Sequence, residues 1–289
     1  MTILELSDVC YTYDPGTPMA HEALSHIDLK IEKGSMTGLI GHTGCGKSTL
    51  LRMLNGLTKP DSGKILLDGR DIWEDPKKIS DVRFRVGLVM QYPEYQLFDE
   101  TVASDIAYGP RNMGLPAEEI AARVRESAAF AGISDDLLEK SPFELSGGQK
   151  RRVAIAGVMA LRPEILVLDE PAAGLDPMGR EEIFAGLARY RAESGATVVV
   201  VSHSMEDMAR YCDRLVVMND GAIMLRGTQS EVFGKSDELQ SIGLAGVPDI
   251  TKLCARLRAG GMPLPADIYT VEAAVAAIAP LLGGDAHAE

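Results

Sequence analysis

The chain has 289 residues, a hydrophobic fraction of 46% and a formal net charge of −13, from 29 basic and 42 acidic residues. This length fits one large domain or two modest ones, each with a buried core. The acidic balance disfavours a nucleic-acid partner, because phosphate contacts need a basic surface. No apolar run approaches the roughly 20 residues of a membrane-spanning helix. The cysteines lack metal-site spacing, and we expect them to be reduced thiols.

The N-terminal part of the chain has the pattern of antiparallel strands. Ile3 to Tyr13 and Ile27 to Ile31 alternate apolar and polar residues, and Pro15-Gly16 between them predicts a turn. Tyr11 and Tyr13 fall on the same face of the first strand, where an aromatic ring can stack on a nucleotide base. From the residues alone, a ring that only covers the core is an open alternative.

A glycine-rich stretch with the sequence GHTGCGKST follows the apolar run Met36 to Ile40 and precedes a helix-like segment, Leu50 to Asn55. It matches the G-x4-G-K-[ST] pattern of a phosphate-binding loop. Glycines allow the tight turn, backbone N–H groups and the helix N-terminus face the phosphates, the lysine adds positive charge, and the serine hydroxyl reaches Mg²⁺. The predicted nucleotide ligands in this loop are Gly41, His42, Thr43, Gly44, Cys45, Gly46, Lys47, Ser48 and Thr49.

A second glycine-containing motif, LSGGQ, opens a predicted helix that runs to Leu161. Ser146 is the expected N-cap of this helix, and Gly147 and Gly148 leave its N–H groups open to another molecule. A simple capped helix is the alternative. Basic residues in the first turn oppose the helix dipole and favour an external anion at this position. These basic residues are Lys150, Arg151 and Arg152.

Polar side chains follow three apolar strands of the predicted sheet. Gln91 follows Val86 to Met90, and Asp169 and Glu170 follow Glu164 to Leu168. Carboxylates at the end of a buried strand are costly unless they have a function, so we expect Asp169 to hold Mg²⁺ and Glu170 to polarise a water for attack on the γ-phosphate. His203 follows the third strand, at the sheet edge where ligands bind.

Together, the loop, Gln91, LSGGQ, the Asp169-Glu170 pair, Asp176 and His203 resemble the nucleotide-binding cassette of ABC transporters. The resemblance covers about residues 3–233, although Ala172 stands where the family usually has Thr or Ser. It implies an α/β fold with a P-loop NTPase core, an antiparallel β subdomain and a helical subdomain over about residues 92–161. It also implies two cassettes packed head to tail, with the LSGGQ of each closing over the ATP of the other.

The resemblance implies a role for each motif residue. Tyr13 stacks on adenine, Ser146 and Gly148 reach the partner's γ-phosphate, and Asp176 communicates across the dimer. The implied catalytic residues are Lys47, Gln91, Glu170 as the base and His203 as a clamp on the γ-phosphate. The implied ATP-site residues outside the loop are Tyr13, Gln91, Ser146, Gly147, Gly148, Gln149, Asp169 and Asp176. The implied Mg²⁺ ligands are Ser48, Gln91 and Asp169.

Finer features resemble the second ATPase of energy-coupling factor transporters, which import vitamins and other micronutrients. These features are Tyr11 to Pro18, Gln91 to Thr101, Ser141 to Gln149 and Pro248 to Ile278. The resemblance implies ATP and Mg²⁺ as cofactors, and as partners a paralogous ATPase (or a second copy of this chain), a transmembrane coupling protein and a substrate-binding membrane protein. It places the chain peripherally on the cytoplasmic face of the membrane. Cobalt and nickel uptake ATPases share much of this pattern.

Residues 234–289 form a predicted appendage. Two helical stripes, Ile250 to Leu257 and Val271 to Ile278, are too short to bury their apolar faces alone, so they pack on the cassette or on another subunit, and we expect them to support pairing of the ATPases. We expect the tail, residues 283–289, to be disordered.

Two other classes fit the sequence less well. Soluble ABC ATPases of ribosomes or chromosomes carry fused cassettes or a long heptad insertion, and this chain has neither. A P-loop kinase would not need LSGGQ.

The run after Gln91 carries aromatic and acidic side chains, and we expect it to receive an arginine-bearing helix of the membrane partner. The acidic residues expected there are Glu94, Asp99, Glu100 and Asp105.

Overall fold

Two β-sheets and surrounding helices make up the computed structural model, which describes residues 1–282. The predicted disordered tail, residues 283–289, lies outside the described residues. The strands are β1 (Thr2–Tyr13), β2 (His21–Glu32), β3 (Met36–Ile40), β4 (Ser62–Leu67), β5 (Arg70–Asp71), β6 (Val86–Val89), β7 (Ile165–Asp169), β8 (Thr197–Val201), β9 (Arg214–Asn219) and β10 (Ala222–Gly227). The α-helices are α1 (Lys47–Leu54), α2 (Ile79–Arg85), α3 (Val102–Asn112), α4 (Ala117–Phe130), α5 (Gly147–Met159), α6 (Pro177–Ser194), α7 (Met205–Tyr211), α8 (Gln229–Phe233), α9 (Ser236–Ser241), α10 (Asp249–Ala259) and α11 (Val271–Ile278).

The central sheet has six strands in the order β10-β9-β3-β8-β7-β6. All neighbours pair in parallel except β10, which is antiparallel to β9. Every residue of β3, β7 and β8 is buried, as their unbroken apolar sequences predict for strands covered on both faces. The loops that follow β3, β7 and β8 therefore meet at one edge of the sheet.

The second sheet is antiparallel, with four strands in the order β2-β1-β4-β5. The predicted alternation in the first two strands matches their burial, although β2 begins at His21, earlier than the sequence pattern indicated. Apolar residues of this sheet share a core cluster with α1 and with one face of the central sheet. The antiparallel sheet is thereby fixed beside the loop between β3 and α1.

The helices α3, α4 and α5 have a core of their own. Val102 and Ile106 of α3, Val124 of α4, and Val153 and Ala156 of α5 are buried together. The predicted Val102 and Ile106 stripe therefore faces inward. This helical unit contains the LSGGQ helix, α5, and falls within the range predicted for the helical subdomain.

The C-terminal part of the chain packs in two ways. Leu239 and Val247 belong to the main core, together with Phe184 of α6. The helices α10 and α11 instead close a small cluster with the loop between them. The ring of Tyr269, in that loop, lies 5.3 Å from the ring of Phe233 in α8. The cassette boundary near residue 233 stays a prediction, and these core contacts favour counting residues 234–247 with the cassette.

No helix within residues 1–282 is long and apolar enough to cross a membrane.

We expect Leu239→Ala to lower the free energy of unfolding by about 2 to 5 kcal/mol, because it leaves a cavity in the main core. Leu253→Ala is the matched control, since Leu253 is 48% exposed, and its effect should stay within about 0.5 kcal/mol. Urea unfolding of both variants measures the difference. Equal, small effects would show that α9 is not part of the main folding unit.

Candidate nucleotide-binding site

The glycine-rich loop connects β3 to α1 and takes a backbone path that most residues disfavour. Gly44 has a φ of 86° and Gly46 a φ of 101°, both in the left-handed region. Gly46 is also the N-cap of α1, and a Cβ atom at that position would collide with the carbonyl oxygen of Ala23. Glycine is therefore required both for the turn and for the close approach of β2.

Lys47 is held inside the loop. Its Nζ donates hydrogen bonds to the carbonyl oxygens of Gly41 and His42, both at 2.8 Å, and lies 3.7 Å from the Sγ of Cys45. The side chain is buried, and burial also raises the pKa of the Cys45 thiol. The loop carbonyls thus hold the ammonium charge beneath the phosphate-binding turn.

Ser48 and Asp169, two of the predicted Mg²⁺ ligands, are neighbours. Burial raises the pKa of Asp169, and a hydrogen bond from the Ser48 side chain opposes that rise. A cation at this position favours the ionised carboxylate, which burial alone disfavours. The pair supplies a hydroxyl and a carboxylate oxygen, which are donors that suit Mg²⁺. The residues present therefore fit the metal that the sequence implies.

Glu170 and His203 form a pair at the ends of β7 and β8. The Nε2 of His203 lies 2.7 Å from the Oε1 of Glu170, and the side chains are 50% and 17% exposed, respectively. Glu170 has a φ of 51°, which is uncommon for a residue with a side chain. Its N–H donates to the carbonyl oxygen of Val201, 3.2 Å away. This conformation aims the carboxylate out of the sheet towards the imidazole.

One cleft, with a volume of about 510 Å³, collects most of the predicted residues. The hydroxyl of Tyr13 lies 3.0 Å from the Oγ1 of Thr49, and the ring of Tyr13 meets the ring of Tyr11 edge to face at 4.9 Å. His21, which pairs with Tyr13 across the strands, and Ala23 were not predicted; the register of β1 and β2 is the signal that finds them. The cleft is lined by Tyr13, His21, Ala23, Thr43, Gly44, Gly46, Lys47, Ser48, Thr49, Gln91, Glu170 and His203.

The LSGGQ residues lie outside this cleft. Within residues 1–282, the side chains that line the cleft include no LSGGQ residue and not Asp176. Ser146 and Gln149 form a capping box at the start of α5, with Ser146 N–H to Gln149 Oε1 at 2.9 Å and Gln149 N–H to Ser146 Oγ at 3.3 Å. Asp176 caps α6 by accepting from the Gly179 N–H at 2.7 Å. Ser146 and Gly147 are exposed, so another molecule can reach them.

Comparison with known proteins identifies the family. A protein-family model described as ABC transporter matches residues 24–173. The chain is 50% identical over 272 residues to "Energy-coupling factor transporter ATP-binding protein EcfA2" of Clostridium acetobutylicum, a match that covers 94% of this chain and 95% of that protein. It is 52% identical over 271 residues to the protein of the same name from Caldanaerobacter subterraneus, covering 94% of each. The chain belongs to the ABC transporter family.

Solved ABC structures show the same fold. The chain is 39% identical to cbiO1 from Clostridium perfringens, described as part of the ABC transporter complex cbiONQ, with a TM-score of 0.75 and coverage of 90% of this chain and 97% of that one. It is 29% identical to the cassette MJ0796, solved as a dimer in a post-hydrolysis state with ADP and Pi, with a TM-score of 0.71 and coverage of 78% and 98%. The predictions of an ABC cassette fold, of an ABC-type ATPase and of similarity to the second energy-coupling factor ATPase are confirmed.

Two of the three basic side chains in the first turn of α5 form ion pairs with carboxylates of the same chain. The guanidinium of Arg151 forms two hydrogen bonds with the carboxylate of Glu94, at 2.8 and 3.1 Å, and also donates to the carbonyl oxygen of Ala173. Arg152 pairs with Glu182. The inference that these charges call for an external anion is therefore wrong for Arg151 and Arg152, because carboxylates of the same chain neutralise them.

The surface after Gln91 also differs from its prediction. Glu94 is paired with Arg151, and Asp105 is buried, where it accepts hydrogen bonds from the N–H groups of Phe98 and Asp99. Burial raises the pKa of Asp105, and these two hydrogen bonds oppose the rise. The expectation that Glu94 and Asp105 are free to bind an arginine of a partner is wrong, since both carboxylates already have internal partners.

We expect Glu94→Gln to lower the free energy of unfolding by about 3 kcal/mol, because it leaves Arg151 buried without its counter-charge. Glu181→Gln is the matched control: its partner is Arg210, and both side chains are 46% exposed. Loss of that exposed pair should cost less than about 1 kcal/mol. Chemical unfolding compares them, and similar losses would mean that the buried pair contributes no more than a surface pair.

Proposed function

We propose that the chain is the ATP-hydrolysing subunit of an energy-coupling factor transporter, acting on the cytoplasmic face of the membrane. The observation that carries this proposal is the single cleft in which the phosphate loop, Gln91, Glu170 and His203 meet. The transporter type is supported by the names of relatives that match nearly the whole chain. A vitamin or another micronutrient is the proposed class of cargo.

In the proposed reaction the chain's own groups position ATP and a water. Tyr13 stacks on adenine, while the loop N–H groups and the Lys47 ammonium face the phosphates. Ser48 and Asp169, with Gln91, would hold Mg²⁺, which would supply positive charge that stabilises the phosphate oxygens. Glu170 takes a proton from the water while the water oxygen bonds to the γ-phosphorus. His203 donates a hydrogen bond to a γ-phosphate oxygen. The bond to the bridging oxygen breaks, which yields ADP and inorganic phosphate.

A second cassette is proposed to complete the site. Ser146, Gly147, Gly148 and Gln149 are outside the cleft of their own chain, so we propose that they reach ATP held by a partner, with Asp176 at the same contact. The dimer reported for MJ0796 supports this arrangement. We propose a paralogous ATPase as the partner, with a homodimer as the alternative.

The appendage is proposed to support this pairing. Val271 and Val275 on α11 are each 59% exposed, although the helix buries Ala274 in the small C-terminal cluster. A face with exposed apolar side chains next to a buried cluster fits a contact with the second ATPase.

We expect Glu170→Gln to bind ATP normally and to lower ATP turnover about 100-fold or more, because general-base groups contribute roughly 10² to 10⁴. Phosphate release by the assembled complex measures turnover, and size-exclusion chromatography with ATP follows the trapped dimer. Glu193→Gln, at an exposed position of α6, is the control and should keep normal turnover. Normal phosphate release by Glu170→Gln would remove Glu170 from the role of base.

A membrane subunit is proposed to dock in a groove of about 420 Å³ on the helical unit. Phe98 and Tyr108 line this groove edge to face, with ring centroids 5.0 Å apart, and both rings are about half exposed. Exposed aromatic rings beside apolar helix surface are typical anchors of a protein interface. We therefore propose that a cytoplasmic helix of the transmembrane coupling protein inserts an apolar side chain here, in place of the charge pairing first expected at Glu94 and Asp105.

We expect the double variant Phe98→Ala and Tyr108→Ala to lose assembly with the membrane subunits while it keeps nucleotide affinity, because the groove loses both of its aromatic anchors. Tyr95→Ala is the control, since Tyr95 is 85% exposed and does not line the groove. Co-purification from detergent-solubilised membranes measures assembly. Full assembly of the double variant would place the docking surface elsewhere.

A second candidate function is the ATPase of a cobalt or nickel uptake system, and the 39% identity to cbiO1 supports it. The higher identity of about 50% to EcfA2 proteins favours the energy-coupling factor type. Mass identification of the membrane proteins that co-purify with the chain separates the two.

A further inference from the structure

A cluster of metal-binding side chains lies on the antiparallel sheet, outside the nucleotide cleft. Asp8, Cys10 and His26 each place a ligand atom within 4.8 Å of the other two. Asp8 and Cys10 are on β1 and His26 is on β2, so chain spacing alone did not reveal the cluster. The ring Nδ1 of His26 lies 2.6 Å from the Oδ1 of Asp8. The backbone N–H of His26 donates a hydrogen bond to the Sγ of Cys10 at 3.2 Å.

We propose that Asp8, Cys10 and His26 bind one zinc-class divalent ion, with water as the fourth ligand. Sulfur, imidazole nitrogen and carboxylate oxygen are the donors that zinc takes in proteins, whereas Mg²⁺ prefers oxygen alone. A tetrahedral ion places its donor atoms roughly 3 to 4 Å apart, so the 2.6 Å between His26 Nδ1 and Asp8 Oδ1 widens when the ion replaces the proton that they share. Binding displaces a proton from the thiol and from Nδ1 of the imidazole.

The backbone of both strands departs from regular pairing to form the cluster. Asp8 has a φ of 52° and His26 a φ of 50°, both in the left-handed region. The register shifts between Leu6 and Val9, and again between Val9 and Tyr11, so the first bulge contains Asp8 of β1 and the second contains His26 of β2. Bulges re-aim side chains and recur at functional positions. The left-handed conformations of Asp8 and His26 have a free-energy cost. The free energy of ion binding would offset that cost.

The surroundings suit a cation. The carboxylates of Glu22 and Asp28 add negative charge near His26, and Asp28 Oδ1 accepts the Asp8 N–H at 3.0 Å, which holds the bulge. Cys10 is partly exposed, while the other three cysteines in residues 1–282 are buried. A solvent ion can therefore reach this thiol.

The ion would connect the two strands that border the nucleotide cleft. Cys10 lies three residues before Tyr13 on β1, or about 10 Å along the strand. A bound ion would link β1 to β2 near the proposed adenine contact and would stabilise the sheet by mass action.

Titration of the full chain with zinc, in the presence of excess Mg²⁺ to occupy the oxygen site, tests the proposal. We expect Asp8→Asn, Cys10→Ser and His26→Asn each to weaken zinc binding by more than about tenfold, since even groups that only orient ligands change affinity 10- to 100-fold. Asparagine tolerates the left-handed backbone, so the variants at Asp8 and His26 should keep the fold. His21→Gln, on the same strand, is the control and should bind zinc as well as the unaltered chain.

Cobalt(II) provides a sulfur-specific readout. The cobalt-loaded chain should show a thiolate-to-cobalt charge-transfer band that Cys10→Ser abolishes and Asp169→Asn leaves intact. The absence of that band, or zinc affinity unchanged in the three cluster variants, would overturn the proposal. Zinc binding lost only in Asp169→Asn would also overturn it, because the ion would then occupy the proposed Mg²⁺ site.

Discussion

Parallel pairing of the strands β3, β8 and β7 is the constraint on which the site depends. The pairing brings the residues after all three strands to one edge of the sheet, so the phosphate loop, Glu170 and His203 meet although they are far apart in the chain. The strands are buried on both faces, which leaves their carboxyl ends as the place where polar side chains reach solvent. The chemistry is therefore positioned by the least polar part of the sequence.

The Arg151 guanidinium connects this edge to the helical unit. Arg151 follows the LSGGQ motif on α5, Glu94 lies three residues after Gln91, and Ala173 precedes Asp176. One buried side chain thus contacts the segments that follow two strands of the sheet and belongs to the helix that the LSGGQ motif opens. A movement of the helical unit must carry these segments with it or break the ion pair. This contact mechanically couples the helical unit to the segments that follow Gln91 and Glu170.

Motifs with local causes were predictable from the sequence. The phosphate loop, the buried strands and the Ser146 cap depend on neighbours within a few residues, and their positions agree with the sequence to within a residue or two. The long helix α6 was not predicted, although its Asp176 cap, the Pro177 at its start and the helical spacing of its buried residues are signals of a helix. Pairings across the fold were also missed. Glu94 meets Arg151 across 57 positions, and Asp8 meets His26 across 18, so no sequence window contains both partners.

The left-handed backbone of Glu170 lowers the stability of the fold at the residue that is proposed to act as the base. Glycine would adopt a φ of 51° without steric cost, whereas a side chain there costs of order 1 to 3 kcal/mol. A cassette selected only for stability would therefore replace this carboxylate, whereas the role proposed for Glu170 in turnover requires it. The strain is tolerated because the parallel sheet around β7 is buried and hydrogen-bonded on both sides. A search for thermostable variants of this chain would be drawn to Glu170, where relief of the backbone strain would also remove the proposed base.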